Sequence, residues 1–147
     1  MADYSRTRTS EASLMASIKT LLDAYTSWTV KEYAYDSGFD TLFEDYLYST
    51  ATVPACILVH TGSKTNNNEN AAVVHTFSVF VVHRSLASHS TAIDNVQALV
   101  EKVYELLDNQ VINNNTIWIT VTGYSPMGFK NNANLVAYKV DIQAEDN

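Results

Sequence analysis

Apolar residues recur along this chain in two periods, and the changes of period divide it into elements. From Glu11 onward Leu14, Ile18, Leu21, Leu22 and Tyr25 share one helical face while Lys19 and Asp23 lie opposite, which predicts an amphipathic helix. Residues 1–10 are polar and aperiodic and read as a flexible N-terminal arm, with residues 11–147 as a single domain. Trp28 to Tyr35 is rich in aromatic and β-branched residues and reads as a strand. Ser37-Gly-Phe-Asp40 has a capping-box-like spacing, and Phe39, Leu42, Phe43, Tyr46 and Leu47 follow at helical intervals, predicting a short helix over 39–48. Pro54 disfavours helix at Val53 and opens Ala55 to His60 as a strand. A polar loop is expected over Thr61 to Asn70, then a long strand from Val73 to Arg84.

The clearest helix follows Thr91-Ala-Ile-Asp94. Ile93, Val96, Leu99, Val100, Val103, Tyr104, Leu106 and Leu107 occupy about half of its wheel, and Glu101, Lys102, Glu105 and Asp108 the other half. Asn113-Asn-Asn115 ends that pattern. Thr116 to Thr122 and Asn134 to Ile142 alternate with period two, predicting a closing antiparallel pair joined by a long hairpin extension over Gly123 to Ala133. The order α-β-α-β-β-α-β-β excludes regular βαβ alternation. It points to an α+β, two-layer sandwich, with a mostly antiparallel four- to five-stranded sheet and two main helices on one face. The strand at 73–84 is apolar on both sides. His75, Phe77, Val79, Val81 and His83 alternate with Thr76, Ser78, Phe80, Val82 and Arg84, so Phe80 and Val82 need a cover that helices on the opposite face cannot give. Either the helix at 39–48 covers them or they belong to an oligomer interface.

Composition narrows the class. With 147 residues, 46% hydrophobic and 17% charged, the chain is long enough to bury roughly two-thirds of its unfolded surface. Its apolar runs fall far short of the ~20 residues a membrane span needs, and no apolar stretch follows the two N-terminal arginines, so neither a span nor a signal peptide is expected. A formal net charge of -7 opposes nonspecific binding to nucleic acid or anionic lipid. Cys56 is the lone cysteine, which excludes an internal disulfide and fits a reducing compartment and a soluble domain made inside the cell.

Candidate chemistry is sparse. His75 and His83 share a strand face but lie roughly 27 Å apart, too far for one metal; His60 can reach one of them across a hairpin, yet no carboxylate or second cysteine stands at a ligand spacing. Ser85, His89, Ser90 and Asp94 are close in sequence but lack a nucleophile elbow, and a loop with a helix N-terminus accounts for them. Glu101, Glu105 and Asp108 form an acidic stripe on a solvated helix face, or a rim facing a basic partner. Only four glycines occur and none forms a phosphate loop; Lys and Arg are scattered. Cys56 sits in an apolar strand, where an inert buried thiol is expected. No enzyme activity, cofactor or metal is expected.

The element order has a family likeness. An N-terminal helix comes first, then the strand Val53-Pro-Ala-Cys-Ile-Leu-Val-His60, a polar loop, and the long strand His75-Thr-Phe-Ser-Val-Phe-Val-Val-His83. A helix from Ala92 to Leu107 and a terminal strand pair ending near Ile142 complete it. Over roughly residues 11–142 this resembles the tail terminator, or tail completion, proteins of long-tailed bacteriophages and related contractile particles. The resemblance rests on element order, length and strand–helix register rather than on an invariant motif. It implies a hexameric ring that caps the tail tube, stops its polymerisation and presents the head-joining surface. The expected partners are other copies of the chain, the tail tube protein and a head-completion or connector protein, with a sheath protein as a further partner in contractile particles. Its place would be the tail–head junction of a virion assembled in the host cytoplasm.

In such a ring the long connections would reach neighbours. The candidate interface is therefore Lys64, Asn66, Asn67, Asn68 and Glu69 in one loop, Phe80, Val82 and Arg84 on the sheet face, and Pro126, Met127, Phe129 and Lys130 in the hairpin extension. Tyr4, Arg6 and Arg8, and Asp141, Glu145 and Asp146 at the other end, are candidates for peripheral contacts. An acidic surface suits a bore that passes DNA without gripping it. The alternatives are a head-completion or connector protein of the same particle, and a small-molecule-binding α+β domain with Trp118, Tyr124 and His83 around a pocket.

Overall fold

The computed structural model describes residues 11–33, 55–65, 73–84, 89–112, 117–127 and 135–146. Helix α1 (Glu11–Asp23) leads into strand β1 (Thr29–Tyr33). Strands β2 (Ala55–Thr65) and β3 (Val73–Arg84) follow, then helix α2 (His89–Leu107). The short β4 (Val111–Ile112), β5 (Ile117–Met127) and β6 (Leu135–Asp146) complete the order. All six strands form one sheet in the order β1-β2-β3-β6-β5-β4. The chain is thus α+β as expected, but the four- to five-stranded sheet becomes a six-stranded mixed one, because β1 joins the edge parallel to β2 and two residues of β4 join the other.

The two described helices lie on one face of the sheet. Leu14, Ile18 and Leu22 of α1 and Val96, Leu99, Val100, Val103 and Leu107 of α2 pack into one cluster with Cys56, Leu58, Phe77, Val79, Val81, Ile119, Val140 and Ile142 from the strands. This is the alternate set that period-two patterning selects on each strand. The turn from α1 to β1 is closed by Trp28, whose buried indole N–H donates to the Leu22 carbonyl at 2.8 Å and so satisfies a helix-end acceptor.

Two β-bulges explain where strands outrun the sequence reading. Register shifts occur between His60 and Gly62 on β2 and between Val121 and Gly123 on β5. An inserted residue reverses which parity faces the core, so alternation breaks and the continuation reads as loop. Glycine at each bulge carries a φ of 156° and 159°, which side chains rarely adopt. The stretch expected as loop from Thr61 is therefore strand through Thr65, with Gly62 to Thr65 paired to Thr76 through Val73, and the hairpin extension expected from Gly123 is strand through Met127.

The other sheet face is divided. Ile57, Val59, Phe80, Val82 and Ala137 are buried there, outside the cluster that the helices cover. The plain two-layer sandwich is therefore corrected: across this half both faces of the sheet are buried, as the doubly apolar strand at 73–84 requires. The helix expected at 39–48 lies outside the described residues. The other half is polar and more open, with Thr61 donating to Thr76 Oγ1 (3.0 Å), Ser78 to Asp141 Oδ1 (3.1 Å) and Thr122 to the Asp141 carbonyl (3.1 Å).

Candidate functional site

β5 begins where α2 ends. Asn109 takes the left-handed conformation (φ 62°) that commonly terminates a helix. The chain then runs alongside β5: the Asn109 N–H donates to the Ile119 carbonyl (3.0 Å), and the Ile119 N–H donates to the Gln110 carbonyl (2.8 Å). Asp108 Oδ1 accepts the Val121 N–H at 3.0 Å. The last member of the predicted acidic stripe is thus a strap between helix and strand, while Glu101 and Glu105 are exposed as expected. Replacing Asp108 by Ala leaves a largely buried amide unpaired, at roughly 1–3 kcal/mol. The expected result is faster hydrogen exchange at Val121 with an unchanged rate at Val79, and recovery in Asp108→Asn. Equal acceleration at both amides would sink the strap.

Beyond Val121, no described element pairs with the outer edge of β5. Ile119 and Val121 point their N–H groups away from β6. Counting past the extra residue of the bulge, the nitrogens of Tyr124 and Pro126 point the same way. Proline therefore stands where it removes a donor from an open edge, the position in which strands tolerate it. Among the described residues the two large apolar side chains that stand exposed are both on this strand: Trp118, 48% exposed, and Tyr124, 54% exposed. Trp118 alternates with the core residues Ile117 and Ile119 and so faces the side away from the helices. Tyr124 faces the helices, with its ring 6.2 Å from Tyr104 of α2 and 5.9 Å from Tyr138 of β6, centroid to centroid. The margin of the sheet thus carries an exposed aromatic on each face.

The candidate residues read from sequence distribute unevenly around this margin. Pro126 is exposed on it and Met127 pairs with Ala137 at the end of β5. Lys64 and Arg84 pair through their backbones with Val74 and Leu135, away from β5. Phe80 and Val82 are buried within the single chain, 4% and 0% exposed, so they offer no open surface. Asn66, Asn67, Asn68, Glu69, Phe129 and Lys130 lie outside the described residues, as do Tyr4, Arg6 and Arg8. The sequence pointed to Trp118 and Tyr124 only as walls of a pocket with His83. They lie on opposite faces of the sheet and do not converge.

Other candidate chemistry resolves into packing. His60 and His75 meet across β2 and β3 with ring centroids 5.8 Å apart, and both flank Phe77. Among the described residues no group of three metal-ligating side chains forms. No described helix is long and apolar enough to cross a membrane.

Cys56 is fully buried, and burial first, then the charge of Asp23, pushes its thiol upward. The unfolded thiol ionises at about 8.5 while the folded one stays protonated, so this contribution to stability is complete below that pH and is lost as pH rises, by about 1.4 kcal/mol per unit. Urea unfolding at pH 8 and 10 should show Cys56→Ala losing about 2 kcal/mol less than the parent chain over that interval. Identical losses would contradict the assignment.

No known family matches the sequence, and no curated protein matches it. Among solved structures, the chain is similar to one from "Virion of native gene transfer agent (GTA) particle", at 13% identity and a TM-score of 0.47. The likeness covers 89% of this chain and 84% of that one.

Proposed function

We propose that this chain is a structural virion subunit, a tail terminator that assembles into a hexameric ring on the end of a tail tube, stops tube growth and offers the surface to which a head-completion or connector protein joins. The observation that carries this reading is the β5 margin, with Trp118 and Tyr124 exposed on its two faces beside an edge that no described strand completes from Thr122 onward. Aromatic side chains on an otherwise polar margin are the residues that anchor protein interfaces. The opposite margin, β1, differs from it, with Thr29, Lys31 and Glu32 exposed. A contact between two unlike surfaces is heterologous, and repeated with a closing rotation it generates a ring. The element order that resembles the terminator family agrees with such a subunit. A small-molecule site would need the aromatics to converge, and they do not.

The test is electron microscopy of the full chain with polymerising tail-tube subunits, with mass measured in parallel. A ring of about six copies at one tube end, with growth stopped, is the expected result. A ring bound to the head side alone would make the chain a connector, and a monomer that ignores tubes would overturn the assembly reading.

A further inference from the structure

The surface around Tyr124 has the chemistry to hold a guanidinium. Tyr104, Tyr124 and Tyr138 stand edge to face, at 6.2 and 5.9 Å, and more than half of Tyr124 is open to solvent. Glu101 on α2 and Asp108, the residue after its end, lie three residues before and four after Tyr104, and Asp108 keeps Oδ2 beyond the Oδ1 that accepts the Val121 N–H. Burial pushes the Tyr104 hydroxyl above its ordinary range, and Tyr124, Asp108 and Glu101 push it the same way. The lysines with described partners are engaged elsewhere: Lys19 with Asp23, Lys102 with Glu105 and over the Tyr25 ring, Lys139 with Asp141. Lys102, the described lysine of α2, is taken up by Glu105 and the Tyr25 ring, and aromatic faces flanked by carboxylates suit a planar, always-charged arginine.

Two of the chain's three arginines, Arg6 and Arg8, lie in residues 1–10, where Asp3 is the single acidic residue. Arg8 and Arg6 stand three and five residues before the start of α1, so fully extended chain carries them roughly 10 and 17 Å from that helix, to which the length of the arginine side chain is added. We propose that residues 1–10 of one copy dock through Arg6 and Arg8 on the Tyr104–Tyr124–Tyr138 surface of a second copy, between Glu101 and Asp108. The inference rests on the assembly reading and names the segment that ties neighbouring subunits together.

The test uses full chains under the conditions in which the ring forms. Copies carrying Thr7→Cys are mixed with copies carrying Glu105→Cys, the native Cys56 being buried, and oxidised. An intermolecular disulfide that is lost when Arg6→Ala and Arg8→Ala are added, together with about tenfold weaker ring formation by that double variant in otherwise unaltered chains, is the expected result. A ring that forms without this crosslink overturns the docking inference and leaves the assembly reading standing. A chain bearing both cysteines that closes on itself at high dilution overturns docking on a second copy. Failure to form any ring overturns both readings.

Discussion

Replacing Phe77 by alanine is expected to destabilise the folded chain by about 3–5 kcal/mol, the largest effect of any single substitution considered. Phe77 is 1% exposed at the centre of β3, and β3 is flanked on both sides by long antiparallel partners. Its ring lies against His60 and His75 and under the helices, so truncation removes apolar contact and leaves a space that the surrounding paired backbone cannot close. Against a total stability of about 5–15 kcal/mol this approaches the limit of folding. A domain of this size should melt roughly 10 °C lower or more. Phe77→Leu keeps most of the volume and should cost less than about 1.5 kcal/mol. Thermal unfolding followed by near-ultraviolet circular dichroism separates the two; a Phe77→Ala chain as stable as the parent would mean the core is not organised on β3.

The second large effect falls on assembly and leaves the fold intact. Trp118→Ala and Tyr124→Ala together should abolish ring formation at concentrations where the parent chain assembles. Each truncated anchor at an interface centre typically costs about 2 kcal/mol or more, roughly thirtyfold in affinity. Because both side chains stand half open in the single chain, their removal should change unfolding stability by only about 1 kcal/mol each, Tyr124 losing its edge contacts with Tyr104 and Tyr138. Mass photometry and urea unfolding on the same samples read the two quantities. Rings that form at the parent concentration would remove β5 as the interface. A loss of assembly that tracks a loss of stability would show that the aromatics serve the fold. Phe80 and Val82, buried within the chain, give the opposite pattern, with stability falling first.

Much of the framework is legible in the chain alone. The helical face of Leu14, Ile18 and Leu22, the face of Val96 through Leu107 and the doubly apolar strand at 73–84 are long, strongly periodic segments, and all of them form where the period places them. Cys56 is legible as a buried thiol because its neighbours Ile57, Leu58 and Val59 leave no polar side to the strand. Periodicity is a local property, so it needs no distant partner to be read.

What depends on distant partners is not legible. The parallel pairing of β1 with β2 joins segments twenty-six residues apart in sequence, and nothing within either marks the direction. The bulges at Gly62 and Gly123 reverse side-chain parity, and whether an irregular stretch is a loop or a bulged strand is decided by the strand beside it. That reversal turns Tyr124 toward the helices while Trp118 faces away, which divides an apparent aromatic pocket into the two faces of one margin. Asp108 reads like any residue of a solvated stripe, because only the fold-back of the chain along β5 after α2 brings the Val121 amide to its carboxylate. Local pattern determined which residues are apolar, where the described helices run and which thiol is sealed. Tertiary pairing decided which of the described strands stands at the margin and which aromatics it exposes, because an edge depends on which strands come to lie side by side.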